Sequence, residues 1–209
     1  MKSGIKLTPY IGRETLNRDT IQLSENLEQV INHLRRLHTS NLPFKNKFNV
    51  FQEIENYEDI LKRSGRSLYE GYSIIRPEIF NLAKVLKQLG TESAPCHNDL
   101  VPENFVKRED GKVYLIDWEY SGMNDPLWDL GALFLESGFT EENRQKALEI
   151  YYKGNIPVDV STKIVIYQIV MDFLWLIWAE CKKAEGNDFG SYGTMRFQRA
   201  IRNLKHLNL

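Results

Sequence analysis

Residues 97–104 read His-Asn-Asp-Leu-Val-Pro-Glu-Asn, and residues 115–119 read Leu-Ile-Asp-Trp-Glu. The first stretch puts a carboxylate and an amide on one short loop, and the second ends an apolar run with another carboxylate. Phosphoryl transfer from a nucleotide needs such a set. One carboxylate accepts the proton of the attacking hydroxyl, while an amide and a second carboxylate hold the metal on the phosphates. The ordered pattern therefore indicates a phosphotransfer site.

The polar side chains of this pattern have distinct candidate roles. Asp99 is the candidate catalytic base, which would orient and deprotonate a substrate hydroxyl. Asn104 and Asp117 offer a neutral and a charged oxygen, and ligand sets made only of oxygen suit Mg²⁺. His97 could touch the substrate or hold the loop in shape. Taken singly, each could be a surface turn residue, since Asp and Asn favour turns, but their order favours the functional interpretation.

Length and composition exclude several classes of protein. The 209 residues suit one large domain or two small ones, and a net charge of −1 gives no reason to expect nucleic acid or an anionic membrane as a partner. Cys96 and Cys181 are too few for a disulfide framework, so we expect buried thiols and a cytoplasmic location. The N-terminus has no signal-peptide pattern. The apolar stretch 164–179 is broken by Gln168 and Asp172, which predicts a buried helix and no membrane anchor.

Hydrophobic periodicity predicts a mainly helical chain with a small strand-and-loop island at its middle, an α+β arrangement. The predicted helices are 25–38 with Ser24 as N-cap, 51–61 closed by Gly65, 77–89 with Pro77 in its first turn, 127–137, 141–153 capped by Thr140, 162–183 and 195–206. Strands are predicted at 6–11 and 112–118, the latter after the hairpin signal Asp110-Gly111. Segments 94–100 and 104–107 are predicted to be loop-like.

Three motifs carry a resemblance to a known family. They are His97-x-Asp99-x(4)-Asn104, Ile116-Asp117-Trp118-Glu119-Tyr120 and Asp125-Pro126-x(2)-Asp129-Leu130. Together they resemble the choline/ethanolamine kinases of the aminoglycoside phosphotransferase superfamily, whose fold is protein-kinase-like. The resemblance covers nearly the whole chain and corresponds to the C-terminal lobe. It implies that Asp99 is the base, that Asn104 and Asp117 bind the metal, and that Asp129, with Glu119, supports the catalytic loop.

Downstream aromatic residues narrow the resemblance towards choline kinases. Trp175 and Trp178 lie three apart on a predicted helix and share a face, and Phe189 and Tyr192 follow it. A quaternary ammonium has no N–H to donate and is held by aromatic faces and negative charge. The similarity to the choline-binding stretch implies that Trp175, Trp178 and Tyr192 are walls of a cage, that Phe189 also belongs to the substrate site, and that Glu136 faces the cation. The alternatives are core packing for the tryptophans and a solvated helix end for Glu136.

Kinases of this type also need a glycine-rich loop and a strand lysine over the phosphates. The sequence contains no Gly-x-Gly-x-x-Gly, and only Lys2 and Lys6 precede the first predicted helix. The resemblance implies that residues 1–12 are a hinge strand and that 13–209 form the catalytic and substrate-binding lobe, without the nucleotide-clamping lobe. We therefore expect weak choline binding at most, little or no kinase activity from this chain alone, and exposed surface that favours self-association.

The leading hypothesis is a choline kinase that transfers the γ-phosphate of ATP to choline with Mg²⁺, giving phosphocholine. The nearest alternative is another small-molecule kinase of the superfamily, acting on ethanolamine, an aminoglycoside or thiamine. An aminoglycoside site would need more acidic residues around its polycationic substrate. A hypothesis from a different class is a binding module that holds choline-like ligands without chemistry.

Overall fold

Helices dominate the structure, a computed structural model that describes residues 14–207. The helices of this part of the chain are α1 (Ser24–His38), α2 (Val50–Arg63), α3 (Tyr72–Leu89), α4 (Pro126–Glu136), α5 (Glu141–Tyr152), α6 (Val160–Ala184) and α7 (Tyr192–His206). The mainly α prediction is confirmed. The strand predicted at 6–11 and the proposed 1–12 hinge segment lie outside the described residues.

Short antiparallel strands form the island between α3 and α4, joined by one strand near the start of the described chain. They are β1 (Glu14–Thr15), β2 (Ala94–Cys96), β3 (Phe105–Lys107), β4 (Val113–Leu115) and β5 (Gly122–Asn124). One sheet has the order β1-β3-β4 and the other pairs β2 with β5. The island therefore brings the 97–104 loop, which leaves β2, next to the segment that follows β4.

The hairpin prediction at Asp110-Gly111 is confirmed. β3 and β4 pair with Phe105 opposite Leu115, and Gly111 has a φ of 81°, a left-handed conformation that glycine adopts at little cost. Strand β4 is shorter than the strand predicted at 112–118. The loop-like prediction for 94–100 and 104–107 is wrong at β2 and β3, because three-residue strands are too short to show an alternating pattern.

Helix α6 is the centre of the core. Helices α2, α3, α4 and α7 all pack against it. Among the described residues, α6 is the one helix that is long and apolar enough to cross a membrane. However, 78% of its most apolar 18-residue stretch is buried inside the protein. The prediction of a buried helix is therefore confirmed, and its apolar character is accounted for by the helices around it.

Helix starts were predicted less well than helix bodies. Thr140 caps α5 as expected, its Oγ1 accepting a hydrogen bond from the Asn143 N–H at 3.2 Å. Ser24 does not cap α1, because the helix begins at Ser24 itself and Leu23 takes the N-cap position without a side-chain bond. α7 begins at Tyr192, three residues before the predicted start. This earlier start places Tyr192 in the first turn of a helix.

The prediction that Pro77 lies in the first helical turn is wrong. α3 begins at Tyr72, and Pro77 lies inside the helix, where proline removes one backbone hydrogen bond. Tertiary contacts outweigh that loss at the helix start. The Tyr72 ring stacks on Phe173 at 4.7 Å between centroids, and its hydroxyl donates to Glu58 at 2.6 Å.

Candidate active site

A buried carboxylate holds the start of the 97–104 loop. Asp129, in the first turn of α4, is 0% exposed. Its Oδ2 accepts from the His97 N–H at 2.8 Å and its Oδ1 from the Asn98 N–H at 2.8 Å. The Nε2 of His38 on α1 lies 3.0 Å from the same Oδ2. This geometry is what the bracing role implied for Asp129 requires, because a fully buried carboxylate is tolerated only when it is paired and hydrogen-bonded.

Asn98 fixes the next turn of the loop, and the sequence reasoning missed it. Its φ is 69°, in the left-handed region that Asn tolerates better than most residues. Its Nδ2 donates to the Tyr120 carbonyl at 2.9 Å, its Oδ1 accepts from Asn124 at 2.9 Å, and its own carbonyl accepts from the Trp128 indole at 3.1 Å. An Asn between His97 and Asp99 was the one available signal for this turn.

His97 lies inside the protein and not in the cavity that Asp99 faces. Its side chain is fully buried, and Nε2 donates to the Ile116 carbonyl at 2.8 Å. Its ring packs edge-on against Trp118 at 5.0 Å between centroids. Of the two roles left open for His97, the structure favours holding the loop over contact with the substrate.

Asp99 faces a cavity of about 230 Å³. Burial raises its pKa above the ordinary range, the carboxylates of Asp117 and Glu136 raise it further, and His97 opposes the shift. A carboxyl whose pKa moves towards neutrality is a better proton acceptor for a hydroxyl than an exposed aspartate. The position and the pKa shift both suit a general base.

The two candidate metal ligands flank Asp99 from different segments. Asn104 Nδ2 donates to the Asp99 carbonyl at 2.8 Å, which leaves the amide oxygen without a hydrogen-bond donor among residues 14–207. Asp117 is exposed and has a φ of 61°. An unpaired amide oxygen and an exposed carboxylate near the base form an oxygen-only donor set that fits Mg²⁺. No contact supports the structural role expected for Glu119. Its side chain is exposed and accepts no hydrogen bond in the described part of the chain.

Aromatic walls surround the rest of the cavity. Its lining includes Asp99, Tyr120, Glu136, Trp175, Trp178, Tyr192 and Arg196. The indoles of Trp175 and Trp178 are perpendicular, with centroids 5.9 Å apart. Phe189 packs on Trp178 at 5.1 Å but is 47% exposed and lies outside the lining. The structure thus brings four of the five predicted substrate-binding residues to the cavity and leaves Phe189 behind one wall.

Glu136 is neither a free carboxylate nor a solvated helix end. Arg196 on α7 binds both of its oxygens at 2.7 Å, and the Glu136 side chain is only 16% exposed. Arg196 also donates to the Tyr192 hydroxyl at 2.7 Å and to Asp172 at 3.0 Å. Asp172 is 0% exposed and is held from its other side by Arg199 at 2.6 Å.

This four-residue ion network was missed by the sequence reasoning, in which Asp172 figured only as an interruption of an apolar stretch. A single carboxylate in an apolar helix predicts a buried cationic partner. Which arginine provides it depends on how α6 and α7 pack, and periodicity along one helix contains no such information.

Comparison with known proteins agrees with the geometry of this site. The family model for choline/ethanolamine kinases matches residues 3–159. The chain belongs to the choline/ethanolamine kinase family. Protein LicA of Haemophilus influenzae is a relative of this chain. The two sequences are 34% identical over an alignment of 219 residues, which covers 99% of this chain and 79% of LicA.

Solved structures agree with the family assignment. The crystal structure of choline kinase LicA from Streptococcus pneumoniae matches this chain with a TM-score of 0.86 and 41% sequence identity. The match covers 94% of this chain and 69% of the LicA chain. A structure of LicA in complex with AMP matches with a TM-score of 0.86 and 39% identity. The expected protein-kinase-like fold is therefore confirmed, and the chain spans about two thirds of the length of these solved relatives.

Proposed function

We propose that this chain carries the catalytic and substrate-binding part of a choline kinase, which transfers the γ-phosphate of ATP to the choline hydroxyl and gives phosphocholine. The observation that carries the proposal is one cavity in which the candidate base Asp99 shares a lining with Trp175, Trp178 and Tyr192. A choline site must provide two features no farther apart than the length of the ligand. These are a proton acceptor at the hydroxyl end and aromatic faces at the trimethylammonium end.

The aromatic walls suit a quaternary ammonium. Such a cation has no N–H donors and loses little hydration on burial, so attraction to ring faces is its main source of binding free energy. The negative charge of Asp99, at the hydroxyl end, adds long-range attraction in a partly desolvated cavity.

Asp99 would act on the hydroxyl during transfer. Its carboxylate accepts the hydroxyl proton as the oxygen attacks the γ-phosphorus, and ADP departs with the electrons of the broken P–O bond. Asp129, His97 and Asn98 keep the loop, and so Asp99, in place. Asn104 and Asp117 would hold Mg²⁺, which when bound neutralises phosphate charge. A nucleotide co-substrate is supported by the LicA complex with AMP.

The activity of the 209-residue polypeptide itself is a separate proposal. The sequence contains no Gly-x-Gly-x-x-Gly loop to position the phosphates. Catalysis of phosphoryl transfer consists mainly of positioning and electrostatic stabilisation, so we expect weak choline binding and slow turnover. The assignment of the described residues to the C-terminal lobe remains part of this proposal, as does a cytoplasmic location.

Ethanolamine is the second candidate substrate. The family is described as choline/ethanolamine kinases, and the aromatic faces of the cavity would attract a primary ammonium as well as a quaternary one. We place choline first because the larger part of the cationic end is aromatic.

A product assay at high protein concentration tests the proposal. The purified chain is incubated with Mg²⁺, ATP and either choline, ethanolamine, thiamine or an aminoglycoside, and the phosphorylated product is quantified. We expect slow formation of phosphocholine that Asp99→Asn abolishes and the exposed control Asp59→Asn preserves. Rapid phosphorylation of choline would overturn the weak-activity proposal alone. Faster phosphorylation of ethanolamine would overturn the choice of choline, and choline binding that is indifferent to Mg²⁺ and ATP, without product, would favour the binding module.

A further inference from the structure

Much of the hydrogen-bonding capacity at the polar corner of the cavity is already used by the protein. Arg196 binds the two carboxylate oxygens of Glu136 at 2.7 Å each and donates to the Tyr192 hydroxyl at 2.7 Å. The guanidinium carbon also lies 4.7 Å from the centre of the Tyr192 ring. One side chain therefore takes one lone-pair site on each Glu136 oxygen, one on the Tyr192 hydroxyl, and one face of the tyrosine ring.

The charges of the network cancel as well. Two carboxylates, Glu136 and Asp172, face two guanidinium groups, Arg196 and Arg199. Arg196 and Asp172 are almost completely buried, with side chains 7% and 0% exposed, so water screens this pairing little. Glu136 thus presents to a ligand a neutralised carboxylate with two of its lone-pair sites taken.

We propose that Arg196 is a specificity-determining positioning residue that makes the cavity select a fully N-methylated cation over a primary ammonium. It acts through Glu136 and Tyr192, by taking up hydrogen-bonding capacity and negative charge that a primary ammonium would otherwise use. The inference rests on the proposed function, because it assumes that the cationic end of an amino alcohol lies among these side chains.

The physical reason lies in the donors of the two cations. The ammonium group of ethanolamine has three N–H donors that water satisfies in solution, and each donor buried without an acceptor lowers affinity. The trimethylammonium group of choline has none and loses nothing at an occupied carboxylate. Aromatic faces attract both cations, so the difference between them depends on the acceptors that Arg196 leaves free.

Arg196→Lys tests the inference. Lysine keeps the positive charge beside Asp172 and Glu136 but is a single point of contact, which cannot occupy two carboxylate oxygens and the tyrosine hydroxyl together. We expect the ratio of choline to ethanolamine affinity, measured by titration of both ligands, to fall about tenfold, the effect of about one buried donor regaining an acceptor. An unchanged ratio would overturn the inference.

Arg199→Lys is the matched control. Arg199 binds the same carboxylate, Asp172, from the same helix but does not line the cavity. Arg199→Lys should leave the affinity ratio as it is in the unaltered chain. A tenfold fall in this variant too would show that loosening the network, and not freeing Glu136, changes the selectivity, and would contradict the inference.

Glu136→Gln provides a second test that does not depend on the folding of an arginine variant. If the Glu136 oxygens serve Arg196 and not the ligand, the change should weaken choline and ethanolamine by the same factor. Selective loss of ethanolamine would overturn the inference. Absence of saturable choline binding in the unaltered chain would instead count against the proposed function, so the two failures are distinguishable.

Discussion

At the scale of single residues, the carboxylate of Asp99 is placed where ionisation is disfavoured. Its pKa is raised above the ordinary value of 3.8, first by burial and then by the negative charges of Asp117, Glu136 and Glu119, with His97 opposing. A raised folded-state pKa means that the folded protein is stabilised below the ordinary pKa. That stabilisation is lost as the pH rises through the folded value.

Asp99→Asn should therefore raise the melting temperature at neutral pH while abolishing phosphoryl transfer. The gain in melting temperature should shrink as the pH falls towards 3.8, because the Asp99 carboxyl of the unaltered protein is then uncharged, like the amide that replaces it. Thermal melts in Mg²⁺-free buffer across the pH range measure it, with the exposed Asp59→Asn as control. A lower melting temperature at neutral pH would contradict the environment described for Asp99.

Asp129→Asn should damage the protein far more than its small change in shape suggests. The variant leaves at least one of the His97 and Asn98 amides, or His38, without its charged acceptor, and each such loss in a buried site costs on the order of 1–3 kcal/mol. We expect the free energy of unfolding to fall by about 3 kcal/mol in urea denaturation. A loss equal to that of Asp59→Asn would show that Asp129 does not brace the loop.

The sequence allowed prediction of residues whose roles depend on order along the chain. Asp99, Asn104 and Asp117 follow one another in a spacing that phosphoryl transfer explains, and the structure places Asp99 in the lining of the aromatic-walled cavity. Arg196 could not be predicted, because its partner Glu136 is 60 residues away and meets it only when α4 and α7 both pack against α6. The same holds for His38, which joins the Asp129 cluster from α1.

At the scale of elements, helix bodies were predictable and their ends less so. Apolar periodicity extends over many turns and indicates α1, α4 and α6 within a few residues. A helix start such as that of α3 depends on local contacts of Tyr72 with Phe173 and Glu58, which no pattern along the chain contains. The three-residue strands of the island are set by their pairing partners for the same reason.

The first turn of α7 approaches the segment before α3 closely at Gly193. A methyl group there would overlap the Tyr69 hydroxyl, which cannot easily move because it donates to Glu180 at 2.6 Å and its ring stacks on Phe197. Gly193→Ala should lower the free energy of unfolding by about 1–3 kcal/mol and displace Tyr192, weakening choline binding.

Gly131→Ala is the matched comparison inside α4. A methyl group at that position would find its nearest neighbours at 3.6 Å, an ordinary contact distance. Alanine favours a helix interior over glycine by roughly 0.5–1 kcal/mol, so this variant should be neutral or stabilising. Urea denaturation of both variants checks the pair, and equal effects would contradict the packing described around Gly193.

At the scale of the whole molecule, one helix connects the core to the chemistry. α6 contributes buried apolar residues to the centre of the fold, Trp175 and Trp178 to the cavity, and Asp172 to the ion network. The cavity therefore depends on the packing of α4, α6 and α7, and a ligand held there should stabilise the fold as a whole by mass action.

The most direct test of choline recognition compares choline and ethanolamine binding to the unaltered chain and to Trp175→Ala by titration calorimetry. Removal of one aromatic wall should lower choline affinity about tenfold, because choline depends on ring faces, and should lower ethanolamine affinity much less. Phe189→Ala, which removes an aromatic ring outside the cavity lining, should leave both affinities nearly unchanged. Equal losses of choline and ethanolamine affinity in Trp175→Ala would contradict the aromatic cage, and with it the choice of choline as substrate.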